Sequence, residues 1–359
     1  MNAKANINIV DEGIDYRHLQ AMTDNTGMLQ FSLGSNPDPA SGYTVDDNAR
    51  ALLVALNIEG PERYRLSKIY TRYLEFCQKD DGSWNNLLKE ERFVPGFDSD
   101  DSQGRTFLAC ALASLSDLED VRQKAQVMME KALPVVMNLR SPRAMAYTLL
   151  GMAKMLSHTG DNGGMMFWGA SRIHQTLQGL YKNTRSPGWN WFENSLTYCN
   201  GILPHALFAF SRATGDAEAL QTAQESLDFL SENLFRSGHL SIIGNQGWWI
   251  KGSKWPLYDQ QPVDACSMAM ACGEAFRVTA QREYLEQTEL AYAWYQGKNL
   301  NGLSLYDSES GGCYDALTAK GVNLNQGAEA VLSLLLTKQL IKELRQENRR
   351  ETVEKEKIL

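Results

Sequence analysis

The chain is poor in the residues that anchor metal and redox centres. Five histidines are spread over 359 residues, and the six cysteines (Cys77, Cys110, Cys199, Cys266, Cys272 and Cys313) form no CxxC pair and no cluster with histidine. That scatter gives no zinc-site spacing. Cys110, Cys266 and Cys272 lie inside apolar stretches, so the thiols read as free and buried in a reducing compartment, with no metal and no cofactor expected. No apolar run reaches transmembrane length, and the opening MNAKANINIVDEG has no apolar signal core, so the expectation is a cytoplasmic protein with no membrane partner. Positive charge is short as well: 35 Lys and Arg against 43 Asp and Glu leave a net charge of −8. A nucleic-acid binder needs a basic footprint, so none is expected as a partner. Walker A, GxGxxG before a strand, GxSxG and HExxH are all missing. Linkers rich in Gly, Ser or Pro are missing too. The expectation is one domain over residues 1–345, followed by a charged helical tail over 346–359.

What the chain does have is a phrase repeated about six times. A polar loop rich in Gly and Asp/Glu runs into an apolar helix of small residues. The starts are GYTVDDNARALLVAL from Gly42, DSDDSQGRTFLACAL from Asp98, RSPRAMAYTLLGM from Arg140, WFENSLTYCNGILPHALFAF from Trp191, DQQPVDACSMAMACGEAF from Asp259, and NQGAEAVLSLLL from Asn325. A period of roughly 40–65 residues suits a helix pair with its loops. Between these starts lie amphipathic stretches with more charge: Pro61 to Gln78, Leu118 to Met137, Gly164 to Tyr181, Asp216 to Leu234, Arg282 to Tyr295 and Leu335 to Lys355. In the first, Tyr64, Ile69, Tyr73 and Phe76 fall near one face; in the second, Asp117 is placed to cap the helix. Strand signals are confined to His239–Ile243 and Gly302–Tyr306. Twelve helices in six hairpins predict an all-α (α/α)6 toroid, with a helical solenoid as the competing architecture. In a toroid, the marked helices form the inner ring and their loaded starts meet at one end.

The residues at those starts are of the kind a carbohydrate site uses. Adjacent Asp46 and Asp47 precede Asn48 and Arg50; one acid suffices for a cap, and two with an arginine exceed that need. FDSDDSQGR repeats the arrangement with Asp98, Asp100, Asp101, Gln103 and Arg105, and lacks the closing Glu of an EF-hand loop. Glu193 follows Trp191 and Phe192, a setting that suits a proton donor. Gln261 and Asp264 open the fifth inner helix, Asn325 and Glu329 the sixth, and Asp315 lies in the loop between them. Of eight tryptophans, six (Trp84, Trp189, Trp191, Trp248, Trp249 and Trp255) fall in loops, where a sugar's apolar face is a natural partner. His18 and His205 are candidates to point into the pocket, and a lone helical histidine more often serves structure.

TDNTGMLQFS (Thr23 to Ser32), GYTVDDNARAL, DDSQGR, PGWNWFENSLTYCNGILPHAL, DQQPVDA, and GGCYDAL with NQGAEA together resemble a bacterial group of the six-hairpin glycosidase superfamily, from about Asp24 to Leu335. Related segments accompany glycosyltransferases of bacterial glycan pathways. The resemblance implies an (α/α)6 toroid acting on a glycan. Relatives tend to read TDDTG where this chain has Asp24-Asn25, so no catalytic role carries over to Asn25.

The functional expectation is a glycoside hydrolase for a manno- or gluco-oligosaccharide, cutting with paired carboxyls. Glu193 is the expected acid and Asp101 the base, with Asp47 as substitute base. Asp46, Asp100, Gln261, Asp264, Asp315, Asn325 and Glu329 are expected to bind substrate, Arg50 and Arg105 to orient carboxylates, and Trp189, Trp191 and Trp249 to line or stack on the sugar. A sugar epimerase or isomerase on the same ring needs a histidine pair at the pocket floor. A non-catalytic glycan-binding module beside a glycosyltransferase would use the same sugar-binding residues without turnover. QKDDGSW and DSDD suggest a terpene-cyclase-like toroid, but the QW phrase is not repeated along the chain.

Overall fold

The computed structural model describes residues 13–160 and 163–358. Twelve α-helices carry the fold: α1 (Arg17–Ala21), α2 (Val45–Leu56), α3 (Pro61–Cys77), α4 (Asp100–Ala113), α5 (Glu119–Val136), α6 (Pro142–Thr159), α7 (Met165–Thr184), α8 (Ile202–Thr214), α9 (Ala217–Leu234), α10 (Pro262–Thr279), α11 (Arg282–Tyr295) and α12 (Ala328–Ile358). The even-numbered helices touch in sequence, α2 to α4 and onward to α12, and α12 closes back onto α2. The odd-numbered helices α3 to α11 each pack outside the inner helix that precedes them. The chain is an (α/α)6 toroid.

Three inner helices are capped by hydroxyl side chains, and Asp46 and Asp47, where the sequence offered an acid cap, lie inside the first turn of α2. Thr44 accepts from the Asp47 amide, Ser99 and Ser102 form a capping box, and Ser141 accepts from the Ala144 amide. Pro stands in the first turn of α6 and α10. Small residues then let the ring close tightly. A Cβ on Gly104 would meet the Ala144 carbonyl oxygen at 2.4 Å, so α4 and α6 are held at a distance only glycine permits. All six cysteines are free and buried.

Three expectations need correction. Leu335 to Lys355 is not a separate outer helix: α12 runs unbroken from the inner ring, and the five-residue α1 packs against it where a sixth outer helix would stand. Asp117 does not cap α5; its carboxylate pairs with Arg63, and α5 begins without a side-chain cap. On α3 the buried face is Leu66, Tyr70, Tyr73 and Leu74, while Tyr64 and Phe76 are exposed. Those two rings sit on the turns between the buried rows, a 3.6-residue phase that the widest apolar spacing did not follow.

The loops at the start of the inner helices carry short antiparallel pairs: Ser32–Leu33 with Asn36–Pro37, Leu87–Lys89 between Tyr43–Thr44 and Arg92–Phe93, Ser195–Leu196 with Trp249–Ile250, and Ala316–Thr318 with Gly321–Asn323. His239–Leu240 pairs with Phe235–Arg236, and Ser304 and Tyr306 form isolated bridges, which accounts for both expected strand segments. Among the described residues no helix is long and apolar enough to cross a membrane.

Candidate active site

The inner ring delivers its polar residues to one end by helical register. Arg50, Arg105 and Tyr147 are each the sixth residue of consecutive inner helices, α2, α4 and α6. That puts them at one depth, about 8 Å below the helix starts. Arg50 donates to Asp47 Oδ1 at 3.0 Å and to Glu329 Oε2 at 2.7 Å, and so joins the first and last inner helices. Arg105 pairs with Asp46, donates to the Tyr147 hydroxyl at 3.1 Å and lies over the Tyr147 ring.

A second group stands beside the first. Asp101 accepts from the Ser141 hydroxyl at 2.6 Å and from the Tyr198 hydroxyl at 2.7 Å, so both its oxygens are engaged. Arg143 donates to Glu193 Oε2 at 2.8 Å, to the Tyr198 carbonyl at 2.5 Å and to Asn200 Oδ1 at 2.9 Å, and its guanidinium covers the Tyr198 ring. Asp101 and Glu193 are thus engaged in holding Tyr198 and Arg143 in place.

The carboxyls differ in environment. Burial is the largest single influence and raises Asp46, but Arg105 and Arg50 together outweigh it and bring it below its ordinary 3.8. Burial pushes Asp47 up to about 6, with Asp46 and Glu329 adding to the shift against Arg50 and the Thr44 hydroxyl. Burial pushes Asp264 up to about 7, with the field of Glu329 adding. Asp264 accepts from the Cys199 amide at 2.5 Å, and its Oδ2 is buried without a partner. Asp315 is raised by burial and by Glu329, against a hydrogen bond of 2.7 Å from the Gly327 amide to Oδ1. Asp315 is half-buried, and the Glu329 side chain is 43% exposed. These two are carboxyls on neighbouring segments that solvent reaches.

Other expected residues serve the loops. Asp100 accepts from the Arg140 and Ser141 amides and so ties α4 to the start of α6. Asp98 pairs with Lys79, so the acids of DSDD part to separate partners. Asn325 accepts from the Gly34 amide, and Gln261 stands at the N-cap of α10 without a side-chain cap bond. His18 meets the Gln326 carbonyl at 2.9 Å, and His174 stacks on Phe210 away from the site.

The tryptophans need reassignment. Trp191 is fully buried against Phe192 and Phe229, so it has no free face for a sugar. Trp189 is also buried and donates to the Glu193 carbonyl at 2.9 Å. Trp249 is wedged among Trp189, Phe229 and Trp255. This aromatic cluster clamps the two site loops to α9, with each ring pair contributing about 0.5–1.5 kcal/mol beyond its buried area. The tryptophan beside the site is Trp248, half-buried and 6.0 Å from the Tyr198 ring. Tyr147, Arg143, Tyr198 and Trp248 are the site residues that sequence reasoning did not select. Tyr147 had a signal, being in register with Arg50 and Arg105; Trp248 differs from its neighbour Trp249 only in which way a loop faces.

No family model matches the chain, and no curated protein matches it. Solved structures do. The cellobiose 2-epimerase from Bacillus thermoamylovorans B4167 has a TM-score of 0.69 at 10% identity, over 91% of this chain and 95% of its own. A D-mannose isomerase has a TM-score of 0.67 at 12% identity, over 91% and 96%. A family 76 glycoside hydrolase from a bovine Bacteroides thetaiotaomicron strain has a TM-score of 0.63 at 13% identity, over 92% and 77%. At such identities the likeness is one of fold.

Proposed function

We propose that the chain is a glycoside hydrolase for a manno- or gluco-oligosaccharide, with Asp315 as proton donor and Glu329 as base. The observation that supports this is the contrast between two accessible carboxyls on neighbouring segments. Burial and the Glu329 field raise Asp315, which favours its protonated form, while Arg50 orients Glu329 through a hydrogen bond of 2.7 Å to Oε2. Asp315 donates its proton to the glycosidic oxygen as the bond to the anomeric carbon breaks. Glu329 takes a proton from the water that attacks that carbon. Trp248 and Tyr198 offer aromatic faces to the sugar, and Arg143, Asp101 and Glu193 hold Tyr198 in place.

The test is incubation with a panel of manno- and gluco-oligosaccharides followed by anomer-resolved proton NMR. Cleavage is expected, and the first anomer to appear separates inversion from retention. Asp315→Asn and Glu329→Gln should each lower kcat by about 10²–10⁴, and Glu193→Gln by less. Because the acid must be protonated, activity should fall as pH rises through the raised Asp315 value. Activity unchanged from the parent in either variant sinks the assignment. The fold likeness covers epimerases and isomerases equally, so the same spectra carry a second reading: exchange at the reducing end without cleavage assigns that class. Histidines do not favour it, since His18 is bonded to backbone and His205 faces Glu274 and Lys154.

A further inference from the structure

The ring axis holds a chamber of about 1040 Å³, on the far side of the arginine layer from the loops. Arg50, Arg105, Tyr147 and Cys199 line its upper end, and Glu59, Arg63, Asp117 and Lys342 its lower end, near the C-termini of the inner helices. The volume is at the upper limit of small-molecule sites, about 300–1,000 Å³. Leu53, Leu56, Leu108, Leu112, Leu336 and Leu340 of α2, α4 and α12 line one side, and α6, α8 and α10 place Lys154, His205, Glu274 and Arg277 opposite them, among the apolar Leu150, Ile202 and Met270.

The charged side is not neutral. Glu274, 1% exposed, meets Arg212 at 2.8 Å, Lys154 at 3.4 Å and Arg277 at 3.9 Å. Arg277 also pairs with Glu343 and Glu347, but Glu274 is the one carboxylate that Lys154 and Arg212 contact among the described residues. Two cations thus share one buried anion. His205 adds no further positive charge, because burial holds it neutral, down to about 3. Burial and the fields of Arg212 and Arg277 likewise lower Lys154 against the pull of Glu274. Arg212 is 39% exposed and screened by solvent, so Lys154 is the chamber-facing cation whose anion is shared, and an anionic ligand gives it a second partner.

We propose that this chamber is a second ligand site, separate from the loop-end pocket, that takes a monoanionic amphiphile: an acidic head at Lys154 and an unbranched alkyl tail along the leucine wall. The probe is dodecanoate below its micellar concentration, titrated by calorimetry against the full chain, with dodecan-1-ol as neutral control. Dodecanoate should saturate at one per chain and bind about tenfold or more tighter than the alcohol, as a charge-assisted contact implies. Lys154→Met should abolish that preference and leave alcohol binding unchanged. Leu112→Trp, which fills the apolar side, should weaken both ligands. Failure of dodecanoate to bind the unaltered chain, equal binding of the two ligands, or indifference to Leu112→Trp overturns the proposal. None of these readouts depends on turnover, so failure of the hydrolase reading leaves them standing.

Discussion

Asp264 shows at the level of one residue how the ring spends stability on its site. The carboxyl is fixed by one amide hydrogen bond, its second oxygen has no partner, and burial pushes it to about 7 from an ordinary 3.8. Glu329 adds to that shift, while Arg143 and the Cys199 amide oppose it. A folded value above the unfolded one means that the fold binds the proton more tightly. The resulting stabilisation is complete below about pH 3.8 and is lost as pH rises through about 7. Asp264→Asn keeps the acceptor and removes the titration. Thermal melts of both proteins at pH 5 and pH 8.5 should show the variant gaining on the parent at the higher pH. A difference that stays constant between the two values refutes this account. Types such as Asp264 and Arg50 were legible in sequence because polar residues at a small-residue helix start are unusual. Their division into ion-paired and proton-retaining groups was not legible, since it depends on contacts between helices far apart in the chain.

At the level of the element, the inner helices were readable because their caps and small residues are local signals. Thr44, Ser99 and Ser141 sit where the structure caps α2, α4 and α6. The unbroken α12 also has a local signal, which the expected boundary at Leu335 overlooked: from Ala328 onward the sequence has no Gly or Pro to end a helix. The aromatic loops were not readable, because adjacent Trp248 and Trp249 face different surroundings that only the packed loops define. Two glycines separate packing from backbone effects. Gly104→Ala drives a methyl group into the Ala144 carbonyl, so α4 and α6 must part, at a cost of about 1–3 kcal/mol. The shift falls beside Arg105, so turnover should suffer as well. Gly160 ends α6 in a left-handed conformation (φ +67°) with nothing near its missing side chain. Gly160→Ala there should cost about 1 kcal/mol of strain and leave the site alone. Urea denaturation of the two variants gives the comparison, and equal losses with equal activity contradict it.

For the whole molecule, the decisive contact is the one that turns six helices in a row into a ring. The sequence showed repeats but not closure, because a solenoid has the same local pattern. Closure rests on α12 meeting α2, and two ion pairs mark that seam at different depths. Arg50 to Glu329 spans it with the guanidinium buried, and Arg50 also compensates Asp46 and Asp47. Lys342 to Glu59 spans it at 2.6 Å on the surface, with both side chains well exposed. A surface pair is screened by water and salt, whereas removing a buried cation leaves its carboxylates unpaired. Arg50→Met should therefore cost about 3–5 kcal/mol, and amide exchange along the first turns of α12 should quicken before the rest of the chain responds. Lys342→Met should leave both the denaturation midpoint and that exchange pattern unchanged. The loss in Arg50→Met should shrink at low pH, where Asp46 and Asp47 become protonated and no longer need the guanidinium. If the surface variant opens α12 as readily as the buried one, the ring is held by its apolar contacts alone and the arginine layer serves the site without closing the fold.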